Sequence, residues 1–337
     1  MQFFILVAVA ISAVCAADNI VNLASKDPLL AVALFKEFEA QHEKPYVAAE
    51  RRMRLTNFRK SVAAAAALNE AEEDVEYGIT LFADMTDAEV QGYMGVNSSI
   101  PTGEEFPMQD APEGLQHNLQ SSFSHKNRYS VVKRQQKNDC WAFSTISVLE
   151  GHTAIVNGRY TQLSEQEVVD CTSGSSAGSG GWANQALKQV QNRRSHMATS
   201  ASYRYAAGDY ACKYSSHSNA LPFSITGVYQ VRGDSGLATA LRSGPVSAAA
   251  MKFSSDLSRY YKGGVYTNTA CNNMQHGNHA VAITGYTSAA FEVRNSWGTS
   301  WGDRGYGYIS RRSTNLCNVS GYSFYITTRR NGREQEE

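Results

Sequence analysis

An odd set of cysteines stands behind an apolar leader in this chain. Phe3 to Ala17 is almost wholly apolar, with Ser12 as its one polar member. A run of about 15 residues falls short of the roughly 20 that span a bilayer. It ends in small residues, Val14-Cys15-Ala16-Ala17, which suit signal-peptidase cleavage, so residues 1–17 read as a secretory signal peptide rather than a buried helix. Cys15 leaves with it, and five of the six cysteines remain: Cys140, Cys171, Cys212, Cys271 and Cys317. An exported chain permits disulfides, and five thiols forming two bridges leave one free. The fold must therefore accommodate two cross-links and one lone thiol, and the count alone leaves open which thiol that is.

The length, 337 residues, is ample for a substantial core and suggests about two domains. With 42% hydrophobic and 18% charged residues, the chain does not read as disordered. No run after the leader is long and apolar enough for a transmembrane helix, so no membrane anchor is expected. The 31 Lys+Arg balance 31 Asp+Glu, which gives no support to nucleic-acid binding. That zero hides a division. Residues 18–118 carry 8 Lys+Arg against 18 Asp+Glu, a net of −10, and residues 119–337 carry 23 against 13, a net of +10.

The acidic part reads as helical from Pro28 to about Ala71. Leu30, Leu34, Phe35 and Phe38 fall at helical spacing, and after the Lys44-Pro45 break a second helix is expected over Ala48–Ala71 with Met53, Leu55, Phe58 and Val62 on its apolar side. Met94 to Pro112 is rich in Gly, Pro, Ser and acidic residues and reads as an exposed linker. In the basic part, Trp141–Glu150 predicts a helix stopping near Gly151, and Ser164 with Glu167 predicts a capping box at the start of another. The C-terminal third carries strand signals at His279–Thr284 and Phe291–Arg294. A helical half followed by a strand-rich half favours an α+β fold of two subdomains with a cleft between them.

Cys140 stands just before the first of these helices, where unpaired backbone N–H groups and the positive end of the helix dipole stabilise a thiolate. A thiolate is a nucleophile for acyl transfer, a histidine can exchange the proton, and a polar partner can hold that histidine's tautomer. His279 opens a strand signal downstream, and Asn295 ends another. His276 reads as a loop residue. The chain has no C-x-x-C pair, so no metal site is expected.

The strings C-W-A-F-S from Cys140, L-S-E-Q-E from Leu163, N-H-A-V from Asn278 and N-S-W-G-T-S-W-G from Asn295 resemble the papain-like cysteine proteases, nearest to the cathepsin L type. The resemblance runs from about Ser121 to Tyr325. It implies a papain-like fold, with a helical left subdomain and a β-barrel-like right subdomain, preceded by a helical inhibitory propeptide. It also implies Cys140 as nucleophile, His279 as general acid/base, Asn295 as the orienting residue and Gln135 as an oxyanion-hole donor. Trp297 is expected to shield the Asn–His bond. Gly180 and Gly181 are expected to pair with an extended substrate, and Trp182, Ala249, Ala280 and Tyr322 to line the second specificity pocket. It pairs Cys171 with Cys212 and Cys271 with Cys317, leaving Cys140 free.

The acidic part resembles the propeptides of the same family. Glu50, Arg54, Phe58 and Asn69 fit an interrupted helical motif in which Ser61 and Ala65 replace the usual Asn and Ile, and Gly78, Phe82 and Asp84 fit G-x-N-x-F-x-D with Thr80 in place of Asn. Residues 18–118 are then an inhibitory propeptide whose tail runs backwards through the cleft, with a boundary at about 101–120, and residues 119–337 are the peptidase domain. The implied protein is a zymogen of a monomeric thiol endopeptidase acting on protein and peptide substrates without a cofactor. It would enter the secretory pathway, bound for the extracellular space or an acidic lysosome-like compartment. Asn97 and Asn318 head sequons that permit glycosylation.

The chain departs from the family pattern beside the thiol. Gln135 lies five residues before Cys140, where six is usual, and the loop's extra cysteine is absent together with its partner, whose place Gly178 takes. A cross-link of this kind contributes on the order of 2–4 kcal/mol. Asp139 sets a carboxylate next to the thiol, with a helix direction that could turn it to solvent. A catalytically weak or inactive homologue that acts by binding is the alternative function, and an inhibitory role for the released propeptide is a third.

Overall fold

The computed structural model describes residues 20–96, 107, 121–214, 219–231 and 233–331. The leader, Asn97 and most of the 101–120 boundary lie outside the described residues. The acidic part comprises α1 (Ile20–Lys26), α2 (Pro28–Gln41), α3 (Ala48–Ala71), β1 (Val75–Tyr77) and α4 (Asp87–Gln91). The basic part comprises β2 (Phe123–Ser124), α5 (Cys140–Asn157), α6 (Glu165–Cys171), α7 (Ala183–Asn192), β3 (His196–Met197), β4 (Asn219–Ala220) and β5 (Phe223–Gln230). It continues through α8 (Gly233–Ala240), β6 (Val246–Met251), α9 (Ser255–Arg259), β7 (Tyr261–Tyr266), β8 (His279–Tyr286), β9 (Ala290–Arg294), β10 (Tyr306–Ser310) and β11 (Ser323–Arg330).

The two long helices of the acidic part form over the expected ranges, although Met53, expected on the apolar side of α3, is exposed. Asp27 caps α2 by accepting the Leu29 and Leu30 amides at 2.8 and 3.2 Å, and Pro28 sits in the first turn, where its missing N–H costs nothing. Phe35 and Phe38 each lie 5.3 Å from the Phe58 ring of α3, whose buried stripe of Phe58, Ser61, Val62, Ala65 and Ala66 repeats at helical spacing. Past Ala71 the chain turns extended, and β1 adds antiparallel to the edge strand β7. Its Val75 and Tyr77, with Leu81 and Phe82, join one continuous core with Phe253, Tyr261, Trp297 and Trp301 of the basic part.

That core belongs to a nine-stranded sheet ordered β1-β7-β10-β9-β8-β6-β11-β5, with β2 pairing on β8. The helical lobe holds a second core, in which Trp141, Leu149, Val168 and Leu187 pack together. Helix α5 bridges the lobes. Ser144 Oγ donates to Val281 O on β8 (2.7 Å), which brings the start of α5 against the start of β8.

Helix α5 runs past the expected stop at Gly151 and ends at Gly158, whose left-handed φ of 73° closes it. Gly151 serves a close approach instead, since a Cβ there would meet Tyr129 Oη at 2.3 Å and Pro245 Cγ at 2.4 Å. Ser164 caps α6 by accepting the Glu167 amide at 3.0 Å, but the reciprocal half of the expected box is missing. The Glu167 carboxylate turns to the Ala198 amide. Disulfides join Cys171 to Cys212 (2.08 Å) and Cys271 to Cys317 (2.05 Å), and Cys140 is a free, buried cysteine. Among the described residues no helix is long and apolar enough to cross a membrane, and no group of acidic, His or Cys side chains is placed to hold a metal ion.

Candidate active site

Cys140 begins α5 and His279 begins β8, so the Ser144–Val281 contact sets the two residues across the junction of the lobes. Asn295 comes directly after β9, the neighbour of β8. His279 Nε2–H donates to Asn295 Oδ1 at 2.9 Å, which leaves Nδ1 as the ring's basic nitrogen. The bond is dry. Trp297 stacks on the imidazole at 4.3 Å, Phe253 meets it edge-on at 4.7 Å, and His279 and Asn295 are both buried.

Gln135 is buried beside this group. Its Oε1 accepts from Ser296 Oγ at 2.6 Å, and its Nε2 donates to Lys137 O at 2.7 Å and to Tyr93 O of the acidic part at 3.0 Å. The next residues of the acidic part continue along the cleft. Gly95 N donates to Cys140 Sγ at 3.3 Å, beside the Ala280 amide at 3.4 Å. Gly181 N donates to Gly95 O at 2.9 Å, and Val96 pairs with Gly181 in the parallel sense. Gly95 fits because it has no side chain: a Cβ would lie 2.0 Å from Asn138 O. Gly180 takes φ 83°, and a Cβ there would strike Gly95 O at 2.4 Å. Met94 to Val96 are therefore buried in the cleft, and the exposed linker expected from composition can begin only after Val96.

Val96 packs in one apolar cluster with Trp182 and Ala280, with the Tyr322 ring against Trp182 at 5.4 Å. Ala249 packs with Ala183 and Phe324 against Tyr322 instead of joining that cluster. His276 is exposed, in keeping with a loop residue. Asn318 Nδ2 donates to Ala250 O at 2.8 Å and Ser320 is buried, so in the folded chain both polar side chains of that sequon are engaged internally.

Burial governs the charge state. Desolvation pushes the Cys140 thiol up to about 12, against the pull of the Ala280 and Gly95 amides, and the Asp139 charge raises it further. Desolvation also lowers His279 to about 4, opposed by the Asn295 hydrogen bond. With the acidic part in the cleft, thiol and imidazole are both neutral near pH 7. Asp139, at the N-cap of α5, is buried and does not turn to solvent. Its carboxylate accepts from the Tyr205 hydroxyl, and burial raises its pKa to about 6.

Several residues that the motifs did not single out complete the site. Phe253 and Ser296 hold the histidine and the glutamine. Phe82 and Tyr93 pack edge-on to each other at 5.1 Å, and Phe82 meets Trp297 at 4.8 Å. The signal for Ser296 was its place next to Asn295, whereas the sequence carried none for Phe253 or Tyr205, which arrive from distant loops.

Residues 120–327 match the papain family cysteine proteases, and residues 35–90 match the cathepsin propeptide inhibitor domain (I29). Digestive cysteine proteinase 1 of Homarus americanus is 32% identical over 311 residues, covering 87% of this chain and 94% of that protein. Digestive procathepsin L2 from the Tenebrio molitor larval midgut superimposes with a TM-score of 0.79 at 29% identity, over 88% of this chain and 99% of that one. Digestive procathepsin L 3 from the same midgut does so with a TM-score of 0.77 at 27% identity, again over 88% and 99%. The chain belongs to the papain family of cysteine proteases, as a cysteine endopeptidase zymogen that carries its own inhibitory propeptide domain.

Proposed function

We propose that Cys140 is the nucleophile, His279 the general acid/base, Asn295 its orienting partner and Gln135 a donor of the oxyanion hole, working with the Cys140 backbone N–H. Once the cleft is open to water, both groups lose the desolvation that keeps them neutral, and the proton moves from Sγ to His279 Nδ1. The thiolate attacks a peptide carbonyl, His279 returns the proton to the leaving amine, and water activated by the same imidazole releases the acyl group. The carbonyl oxygen takes the place that Tyr93 O now holds on Gln135 Nε2. Val96 marks the second specificity pocket, with Trp182, Ala280 and Tyr322 around it, and Gly181 supplies backbone pairing to an extended substrate.

The observation that carries this reading is the sense of the inhibitory strand. Gly95 covers the thiol while Val96 pairs parallel to Gly181, so the propeptide fills the cleft in the direction opposite to an antiparallel substrate. Residues 18–118 are then the propeptide, cut at about 101–120, and 119–337 the peptidase. The enzyme is a monomer of the secretory pathway that opens in an acidic compartment or outside the cell, and its two disulfides fit that route. Incubation of the full chain at falling pH, beside Cys140→Ala, tests it. Processing within 101–120 and hydrolysis of a denatured protein are expected from the wild type alone. Equal inertness of both chains at every pH would leave the binding homologue, a reading that the short loop and the buried Asp139 favour.

A further inference from the structure

The loop Gln135–Cys140 carries both the amide donor and the thiol, yet it is a residue short and lacks the family's cross-link. Its restraints come from elsewhere. Asn138 N donates to Ala177 O at 3.1 Å and Asn138 Nδ2 to Gly178 O at 3.0 Å, so this side chain reaches the residue that stands in place of the missing cysteine. On the other side, Gln136 N donates to Tyr205 Oη at 3.1 Å, and the same hydroxyl donates to Asp139 Oδ2. One hydroxyl thus spans the loop, accepting before Lys137 and donating after Asn138. The Tyr205 ring is itself held edge-on to Phe143 at 5.1 Å, and the Asp139 carbonyl starts α5 by accepting the Ala142 and Phe143 amides at 2.9 and 3.2 Å.

We propose that Tyr205 and Asp139 are positioning residues of this site: a hydrogen-bonded clip that, with Asn138, holds the loop Gln135–Cys140 in place of a disulfide and couples the Asp139 charge to the neighbouring thiol. The second half rests on reading Cys140 as the nucleophile. The ionisable groups set against Asp139 are the Tyr205 phenol, the Asp209 carboxylate and the Cys140 thiol, with Glu165 beyond Tyr205. Asp209 Oδ1 accepts the Ala177 amide at 2.6 Å, which ties the loop facing Asn138 to the segment that carries Tyr205. Burial holds Asp139 near 6, so below that pH the carboxyl is neutral and no longer opposes the thiolate, and above it the carboxylate does. The clip survives either state, because a neutral carboxyl still bonds a hydroxyl.

Three measurements, one on the intact zymogen and two after acid processing, decide both halves. In the intact zymogen at pH 7, Tyr205→Phe is expected to speed amide exchange of Gln136–Asn138 about tenfold while α7 is unchanged. Asp139→Asn, which keeps an acceptor for Tyr205, should stay within threefold. If Tyr205→Phe does not fold, Asn138→Ser gives the same readout. After acid processing, Tyr205→Phe should lower kcat about tenfold with KM within twofold. Asp139→Asn should raise the pH 7 to pH 5 ratio of thiol alkylation by an epoxysuccinyl inhibitor at least threefold. Unchanged exchange and kcat in Tyr205→Phe would overturn the clip, and an alkylation profile superimposable on wild type in Asp139→Asn would overturn the coupling. A wild type that takes no label after processing sinks the nucleophile reading and the coupling with it, while the zymogen exchange still decides the clip.

Discussion

His42 is placed to make release of the propeptide depend on acid. It lies just after α2, half-buried, with its ring 4.7 Å from Phe38. Its pKa falls from 6.5 to about 4, first through desolvation and then through the cations Lys44, Arg134 and Lys262, with Asp84 opposing. Arg134 and Lys262 belong to the peptidase part, so undocking removes them and returns the ring toward its ordinary value. The lowered value sets the sign: the docked state carries no penalty above pH 6.5, a growing one as pH falls, and the whole of it below about 4. The full difference corresponds to about 3 kcal/mol. Lys44 and Phe38 stay with the propeptide on undocking and solvent screens this half-buried site, so at most about 1.5 kcal/mol, roughly tenfold, bears on the docked-to-open ratio. His42→Gln removes the titration and keeps a polar side chain. With processing tracked across pH 3.5–7 beside a Cys140→Ala control, the variant should process about five- to tenfold more slowly near pH 4 and match the wild type at pH 7. Identical profiles, or a slowing equal at all pH values, would refute the reasoning.

Other substitutions test the remaining contacts. Gly95→Ala places a Cβ 2.0 Å from Asn138 O, so the zymogen should show activity and thiol labelling at pH 7, while the processed enzyme, which has lost Gly95, should be unaltered. Arg259 is buried and donates to Asp87 at 3.0 Å and to Met85 O at 2.7 Å, so Arg259→Ala should weaken the propeptide's hold by about 2 kcal/mol, read as leak activity of the unprocessed chain. Gln135→Ala should lower kcat by about 10²-fold or more with little change in KM, measured on processed enzyme.

The elements with a strong local signal were legible in the sequence. The spacing of Leu34, Phe35 and Phe38, and of Phe58 and Val62, marks α2 and α3 by periodicity, whereas the Asp27 cap emerged with the structure. Cys140, His279 and Asn295 stand out in the sequence as candidates because each sits at the end of an element. What escaped depends on contacts between distant segments. Gly151 looked like a stop but admits Tyr129 and Pro245 into a continuing helix. The sequence left the direction of Asp139 open, and Tyr205 from a distant loop covers it; Met94–Val96 looked like linker but lie in the cleft. The charge division, −10 against +10, was legible as a sum but not as contacts. Among the described residues only two ion pairs cross it, Arg259–Asp87 at 3.0 Å and Arg312–Asp74 at 3.5 Å. Beside these pairs the propeptide is held by the core that Phe82 and Tyr77 share with Trp297 and by the added strand β1, and the exposed Arg312–Asp74 pair is open to screening by salt.

The central claim is that the Cys140 thiol is the nucleophile and that the propeptide keeps it covered and neutral. Mass-spectrometric labelling of the full chain by an epoxysuccinyl inhibitor, before and after acid treatment, tests it directly. The account predicts no adduct at pH 7 before treatment and a single adduct on Cys140 after processing. Ready labelling of the untreated zymogen, or none once the propeptide is gone, would contradict it.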